Sequence, residues 1–466
     1  MKKFILTITL VVMTFISFTV VFGETLAQES QFNNITIFIR FNDEQDYTAP
    51  YDYSHYDDML NGMNQPSLRN YYLEASYGTL TIDSFIPVDN GNIIFYTDIY
   101  DREYFEPYSD ENPNGVDENG QADREHYLIK RAMDYVDEQN LIPEELNLDV
   151  NEDGMIDSLT FMISGEDSGW NSLLWPHKWE LYTFDPYSSG FTFDAPTING
   201  VNGYYYTWEL LGNSQLYDYQ VNVGVLAHET FHLLGAPDLY HYYDYLDIEP
   251  IGDWGLMEYV GDTPSHMLGY MKEHYAGWIT DVPEIYESGS YTLYPLQDDP
   301  SNIYRIFTGV ENQWIYLEYR DDDGFYESNL PYSGLLVYRV NLGLEGNVNG
   351  SYDDQGNPTD EVFIFRPGMD DVIDPIVLVD ADVDGDIYRA ALTDYSYYPD
   401  EMGLGTNIPM FLSDGTILQM GIYNVDEHYG YITFDVVMES QIELVSEDYN
   451  LRGKNVMLYD SSLMEY

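Results

Sequence analysis

Apolar and polar residues recur along this chain with two different periods, and the change from one to the other divides it. Residues 35–41, ITIFIRF, form an apolar, β-branched run closed by Asn42 and Asp43, which predicts a first strand. Pro66 and Ser67 open a helical stretch in which Leu68, Tyr71, Tyr72 and Ala75 share one face and Gly78 is the stop. A strand over 79–85 follows. Leu128, Ile129, Ala132, Met133 and Val136 make one stripe of an amphipathic helix over 123–139, which backs a sheet whose next strand covers 159–164. A helix over about 221–234 is apolar at Val221, Val225 and Leu226, the pattern of a buried helix, and another is expected over 264–275 behind Thr263, stopped by Gly277. After Asp281 the period shortens. Runs at 291–294, 314–319, 335–340, 362–365 and 431–437, divided by Gly, Pro, Asn and Asp turns, predict an appended β-sandwich. No internal repeat is present.

Composition changes this picture in three ways. Hydrophobic residues at 44% and aromatics at 16% argue for packed structure rather than disorder. The 82 acidic against 17 basic residues give a formal charge of -65, a surface that repels nucleic acid and anionic membranes, attracts cations and suits a salty medium. The absence of cysteine excludes disulfides, a thiol nucleophile and a thiolate-liganded metal. Residues 1–27 read as an export signal: Lys2 and Lys3 precede an apolar run over 4–22, with small residues at Gly23 and Ala27. The run is nearly membrane-length, so retention as an uncleaved anchor stays open, but no second such run follows. Work outside the cytoplasm is expected, and little room remains before residue 35 for a pro-segment.

The candidate chemistry is concentrated in His228-Glu229-Thr230-Phe231-His232. Residues four apart share a helix face, so the two imidazoles can close on one zinc ion with Glu229 beside it. Zinc then needs a third protein ligand and an open position, and Gly235 lets the chain leave the helix so that Asp238 can return as that ligand. Glu258 and His266 are rival third ligands. Glu229 is the expected general base, taking a proton from water and passing it to a leaving amine. The same residues also fit a surface helix with an ordinary glycine stop. Met257, in a tight glycine-containing segment after Asp238, matches the methionine turned beneath a metzincin-type site, and Tyr259 is expected to donate a hydrogen bond to the oxyanion. His177, between Trp175 and Trp179, reads as a packed structural histidine, and the aromatic run 240–245 as cleft wall or packing.

A second cation signature lies at Asp149, Asn151, Asp153, Met155 and Asp157, with Gly154 at the sixth position. Four oxygen-bearing side chains and the Met155 carbonyl fall at calcium-loop spacing, although Thr160 stands where a bidentate Glu would complete the loop. An acidic turn without metal is the other reading. Asp380, Asp382, Asp384 and Asp386 repeat only the first half of the pattern.

Together these residues resemble secreted bacterial zinc peptidases like immune inhibitor A. The resemblance rests on SLRNYYLEASYGTLTI, DVNEDGMIDSLTF, LLWPHKW, HETFHLLGAPDLY, IGDWGLMEY and GYMKEHYAGWI, and it continues through WIYLEYRDDDGF and SGLLVYRVN. It implies zinc-dependent endopeptidase activity on extracellular proteins, with His228, His232 and Glu229 in the family motif, and structural calcium. Many relatives carry a long N-terminal pro-segment, and none is expected in this chain, which leaves latency and activation open. The expected fold is α+β: an export signal over 1–27, a zincin-like, metzincin-type catalytic domain over 28–285, a β-sandwich over 286–440, and a tail or closing strands over 441–466. Protein or peptide substrates are expected as partners. The alternative is a calcium-stabilised surface binding protein with an inactive peptidase domain.

Overall fold

A computed structural model describes residues 30–116, 122–165, 174–181, 195–212, 221–241, 249–347, 360–368 and 386–438. The export signal, the segment 441–466, most of the aromatic run 240–245 and the acidic residues 380–384 lie outside them. No helix among the described residues is long and apolar enough to cross a membrane.

The first part is a mixed α/β layer. Its elements are β1 (Ser30–Arg40), α1 (Tyr53–Asn61), α2 (Leu68–Ala75), β2 (Leu80–Phe85), β3 (Phe95–Thr97), α3 (Ala122–Glu138), β4 (Ser158–Ile163), β5 (His177–Glu180), β6 (Tyr205–Leu210), α4 (Val223–Leu233) and α5 (Gly269–His274). The sheet order is β2-β1-β4-β6-β5, with β3 pairing the end of β1. β1, β2, β3, β4 and β6 are parallel, while β5 joins β6 antiparallel with His177 opposite Trp208. Side-chain alternation assigns the two faces. Ile35, Ile37 and Ile39 of β1 and Phe161 and Ile163 of β4 pack with Leu128, Ile129 and Met133 of α3. Phe38 and Met162 point the other way, into a cluster with α2 and with Leu226, Ala227 and Phe231 of α4. α4 therefore lies on the opposite face of the sheet from α3.

Eight further strands follow: β7 (Gly289–Leu293), β8 (Ile303–Phe307), β9 (Gln313–Arg320), β10 (Gly334–Asn341), β11 (Val362–Ile364), β12 (Met402–Gly403), β13 (Met420–His428) and β14 (Tyr431–Met438). They form two four-stranded antiparallel sheets, β7-β14-β13-β12 and β8-β9-β10-β11. Ile315 and Leu317 of β9 and Leu335 and Val337 of β10 meet Ile422, Phe434 and Val436 of the facing sheet. Their neighbours Tyr316, Leu336, Tyr338 and Val340 face the first part and join the cluster that holds α4 and α5. The sheet β8-β9-β10-β11 is thus buried on both faces. That is why β10 reads as a nearly unbroken apolar run rather than an alternation.

The expected helix over 264–275 is corrected to the six residues of α5. Ahead of it His266 N–H donates to Glu327 Oε1 (3.1 Å), and at its first residue Gly269 N–H donates to Glu318 Oε2 (2.8 Å). In a helix begun at Pro264 the Gly269 amide would bond a carbonyl one turn back, whereas here buried carboxylates from the strand part take both amides. Arg320, 1% exposed, balances those carboxylates, donating through Nε to Glu327 (3.0 Å) and through Nη1 to the Trp254 carbonyl (2.9 Å).

Candidate metal centre

Helix α4 is placed by its ends. Asn222 caps it, its Oδ1 accepting from Val225 N–H (3.0 Å). Within the first turn, a Cβ at Gly224 would come within 2.2 Å of the Gly261 carbonyl, so only glycine allows that loop so close. At the other end Gly235 has φ +91°, the left-handed conformation that stops a helix and turns the chain. That turn brings the Ala236 carbonyl to His232 Nδ1 (2.6 Å) and Asp238 back towards the helix. His228 Nδ1 meets the Leu256 carbonyl at 3.0 Å.

A carbonyl oxygen can only accept, so Nδ1 carries the hydrogen on both rings, and Nε2 of each is directed at the shared space. His228 Nε2 and His232 Nε2 lie 3.2 Å apart, and Asp238 Oδ1 is 2.9 Å from the first and 3.3 Å from the second. Three potential donors converge where, without added positive charge, they would repel. Their separations are near the ~3.3 Å edge of a tetrahedron built on metal–ligand bonds of about 2.0 Å. Two imidazoles and a carboxylate, each ring oriented by a backbone carbonyl, fit a zinc ion. Burial pulls the His228 ring down, but the Asp238 hydrogen bond and the Glu229 and Asp238 charges outweigh it and carry the ring to about 9. Burial likewise pushes the Asp238 carboxyl up, and the hydrogen bonds from His228 and His232 hold it far below the usual range instead.

His228, Glu229, His232 and Asp238 line one cavity of about 420 Å³, whose walls include Trp175, His177 and Trp179 from the β5 edge and Glu345 from the strand part. Glu229 is 7% exposed and opens into this space. Beside it Glu209, on β6, is fully buried with neither carboxyl oxygen hydrogen-bonded, and burial together with the Glu229 charge pushes it well above the carboxylate range. Among the described residues the convergent group of three or more His, Asp or Glu is His228, His232 and Asp238.

The other candidates separate. Glu258 does not reach the metal space: its Oε2 accepts from the Ile251 and Gly252 amides (2.6 and 2.7 Å). His266 is 1% exposed, with Nδ1 3.3 Å from Glu327 at the boundary with the strand part. Tyr259, expected at the oxyanion, is corrected: it is 53% exposed and lines a different cavity with Asp253, Gly261 and Asn329. The turn that buries Leu256 and Met257 rotates the residue two positions later outward. Met257 itself is 1% exposed, and its carbonyl accepts from Leu239 N–H (2.9 Å), so this segment braces both His228 and the chain after Asp238. His177 has both ring nitrogens engaged, Nδ1 with the Trp175 carbonyl (2.7 Å) and Nε2 with Glu125 (3.1 Å). Burial opposes charge on its ring, yet Glu125 holds it above its ordinary value.

In the acidic loop, Asp149 accepts from the Asp153 and Gly154 amides (both 2.9 Å), and Asp157 from Val150 N–H (3.1 Å). Asp153 accepts from Met155 N–H (2.8 Å), and Asn151 Oδ1 from Asp153 N–H (3.0 Å). The loop thus closes through its own backbone amides. Burial pushes the Asp157 carboxyl up to about 6, with the Asp149 charge adding to it.

No family model matches the chain, and no curated protein sequence does. Six chains of solved structure match. Two are crystal structures of wild type OgpA from Akkermansia muciniphila, in different crystal forms, each 12% identical with a TM-score of 0.26. One alignment covers 65% of this chain and 75% of that one, the other 64% and 74%. At that TM-score the likeness carries no argument about fold or chemistry.

Proposed function

We propose that this chain is a secreted zinc-dependent endopeptidase, kin to the immune inhibitor A-like peptidases, with a zincin-like catalytic part braced by a β-sandwich. The observation that carries the reading is the convergence of His228 Nε2, His232 Nε2 and Asp238 Oδ1 beside a buried glutamate that opens into the same cavity. A zinc ion held there supplies Lewis acidity towards water and a carbonyl oxygen. Glu229 takes the proton from the attacking water and returns it to the leaving amine. Nδ1 of each histidine keeps its hydrogen on Ala236 or Leu256, which fixes the ring orientation throughout. β5 ends the sheet beside the cavity, and an extended peptide adding to its outer edge would lie across Glu229. The acidic balance of the chain and Glu345 at the cavity favour substrates with basic side chains. Calcium at 149–157 is proposed as a stabiliser of the loop that precedes β4.

The test is cleavage of an unfolded protein by the purified chain with stoichiometric zinc, beside Glu229→Ala. The variant should keep its zinc and lose about two to four orders of magnitude in rate. Mapped cut sites should be enriched in nearby Lys and Arg. Undiminished cleavage by Glu229→Ala would sink the assignment, and zinc binding without cleavage by either protein would favour a binding protein with an idle peptidase fold.

A further inference from the structure

Asp238 lies in an irregular segment beyond the end of α4, yet it must present its carboxylate to both histidines. The peptide plane between Asp238 and Leu239 is held at both ends. Leu239 N–H donates to the Met257 carbonyl (2.9 Å), and the Asp238 carbonyl accepts from Asn347 N–H (3.0 Å). The next carbonyl, Leu239 O, accepts from Asn347 Nδ2 (2.9 Å). Asn347 is fully buried and anchored in turn to the first residue of β11, its Nδ2 donating to Val362 O (2.8 Å) and its Oδ1 accepting from Val362 N–H (3.2 Å). Gly346 completes the contact. At φ +68° it sits so near that a Cβ there would come within 2.8 Å of both the Asp238 carbonyl and Pro237 Cβ.

Resting on the zinc reading above, we infer that Asn347 is a positioning residue through which the sandwich part fixes the third metal ligand. Holding a peptide plane by its carbonyl and its amide removes rotation about the Asp238 Cα–C bond, and so sets where Cβ and the carboxylate point. Outer partners of metal ligands commonly change affinity by about 10- to 100-fold when removed. Asn347 would act at that level through the backbone rather than through the carboxylate itself.

The experiment compares zinc dissociation constants, by chelator competition, for the full chain and for Asn347→Ala, Gly346→Ala and Val425→Ala. Visible spectra of the cobalt(II)-substituted proteins are recorded alongside. Val425 is buried in the sandwich interior away from the site, so its truncation lowers stability without touching Asp238. Asn347→Ala keeps the backbone N–H on Asp238 but frees it from Leu239 and Val362, and so should bind zinc about 10-fold or more weakly and show an altered cobalt spectrum. Gly346→Ala, which pushes on the Asp238 carbonyl, should do the same, while Val425→Ala matches the parent in both. If Asn347→Ala does not fold, Gly346→Ala decides. A folded variant at position 347 or 346 with parental affinity and spectrum overturns the positioning role, as does an equal loss in Val425→Ala. A parent chain that binds no zinc would instead remove the reading beneath it.

Discussion

Replacing Gly235 by alanine tests whether the left-handed turn, rather than side-chain packing, delivers Asp238. The residue has φ +91°, and an added Cβ would find nothing within 4 Å, so the substitution creates no clash. What it adds is backbone strain, about 1–2 kcal/mol for a non-glycine residue in this region. Loss of unfolded-chain entropy offsets about 0.4–1 kcal/mol of that. Two responses are open. If the turn keeps its shape, the zinc-free protein loses roughly 0.5–1.5 kcal/mol of stability and the zinc affinity is unchanged. If the turn relaxes, stability is spared, but the Ala236 carbonyl leaves His232 and Asp238 swings away, so the affinity falls by up to about tenfold, which is 1.4 kcal/mol. Urea unfolding of the zinc-free protein and zinc titration by chelator competition measure the two shares. Asparagine tolerates the left-handed region better than alanine, so Gly235→Asn should recover part of the loss. A Gly235→Ala protein with parental stability and parental affinity would refute the reasoning.

Zinc bound as proposed must displace the proton that Asp238 and Glu229 hold on His228 at pH values below about 9. Affinity should therefore rise about tenfold per pH unit between roughly 7 and 9 and level off above, with about one proton released near neutrality by calorimetry in two buffers; a flat profile contradicts the geometry. Asp157 has the opposite linkage from a salt-bridged carboxylate. Its folded value, about 6, lies above the ordinary 3.8, so the native state binds the extra proton and calcium-free stability should fall as pH rises from about 4 to 6. Millimolar calcium should cancel that fall in thermal unfolding, and Asp157→Asn should abolish the pH dependence; calcium without effect at pH 7 would leave the loop an acidic turn. Glu327→Gln leaves the buried Arg320 without its bidentate partner and should cost about 3–5 kcal/mol in urea unfolding, whereas a loss below about 1 kcal/mol would show the pair to be dispensable.

The sequence shows what is local. β1, α3 and α4 carry long runs of one period, and His228, Glu229, His232 and Asp238 are separated only by the geometry of one helix and one glycine turn. What it hides is settled by partners far along the chain. The segment 264–269 reads as helical throughout, but its His266 and Gly269 amides go to Glu327 and Glu318, 61 and 49 residues from the donors. Tyr259 has the expected offset from Met257, yet the turn that brings the Leu256 carbonyl to His228 leaves the tyrosine outside. β6 alternates, with Tyr206, Trp208 and Leu210 packed on the α3 side and Thr207 and Glu209 between them, but it is only six residues long and does not stand out from its Tyr-rich surroundings. Glu209 could have been suspected as a charged residue in an otherwise aromatic strand. Asn347 offers no such signal, since its partner Leu239 is 108 residues away and an asparagine in a loop is ordinary.

The division of the chain near residue 285 marks a change of pattern, but the buried core runs across it. Tyr316, Leu336, Tyr338 and Val340 pack into the same cluster as Leu226, Phe231 and Met271. Cutting the chain there would uncover that face, leave the Gly269 and His266 amides without Glu318 and Glu327, and free Asp238 from Asn347. Exposed apolar surface and unpaired buried amides each destabilise the remaining part, and they do so on the side where Asp238 is held. The site therefore depends on the second part for its packing: the strand part is one wall of the core on which α4 rests.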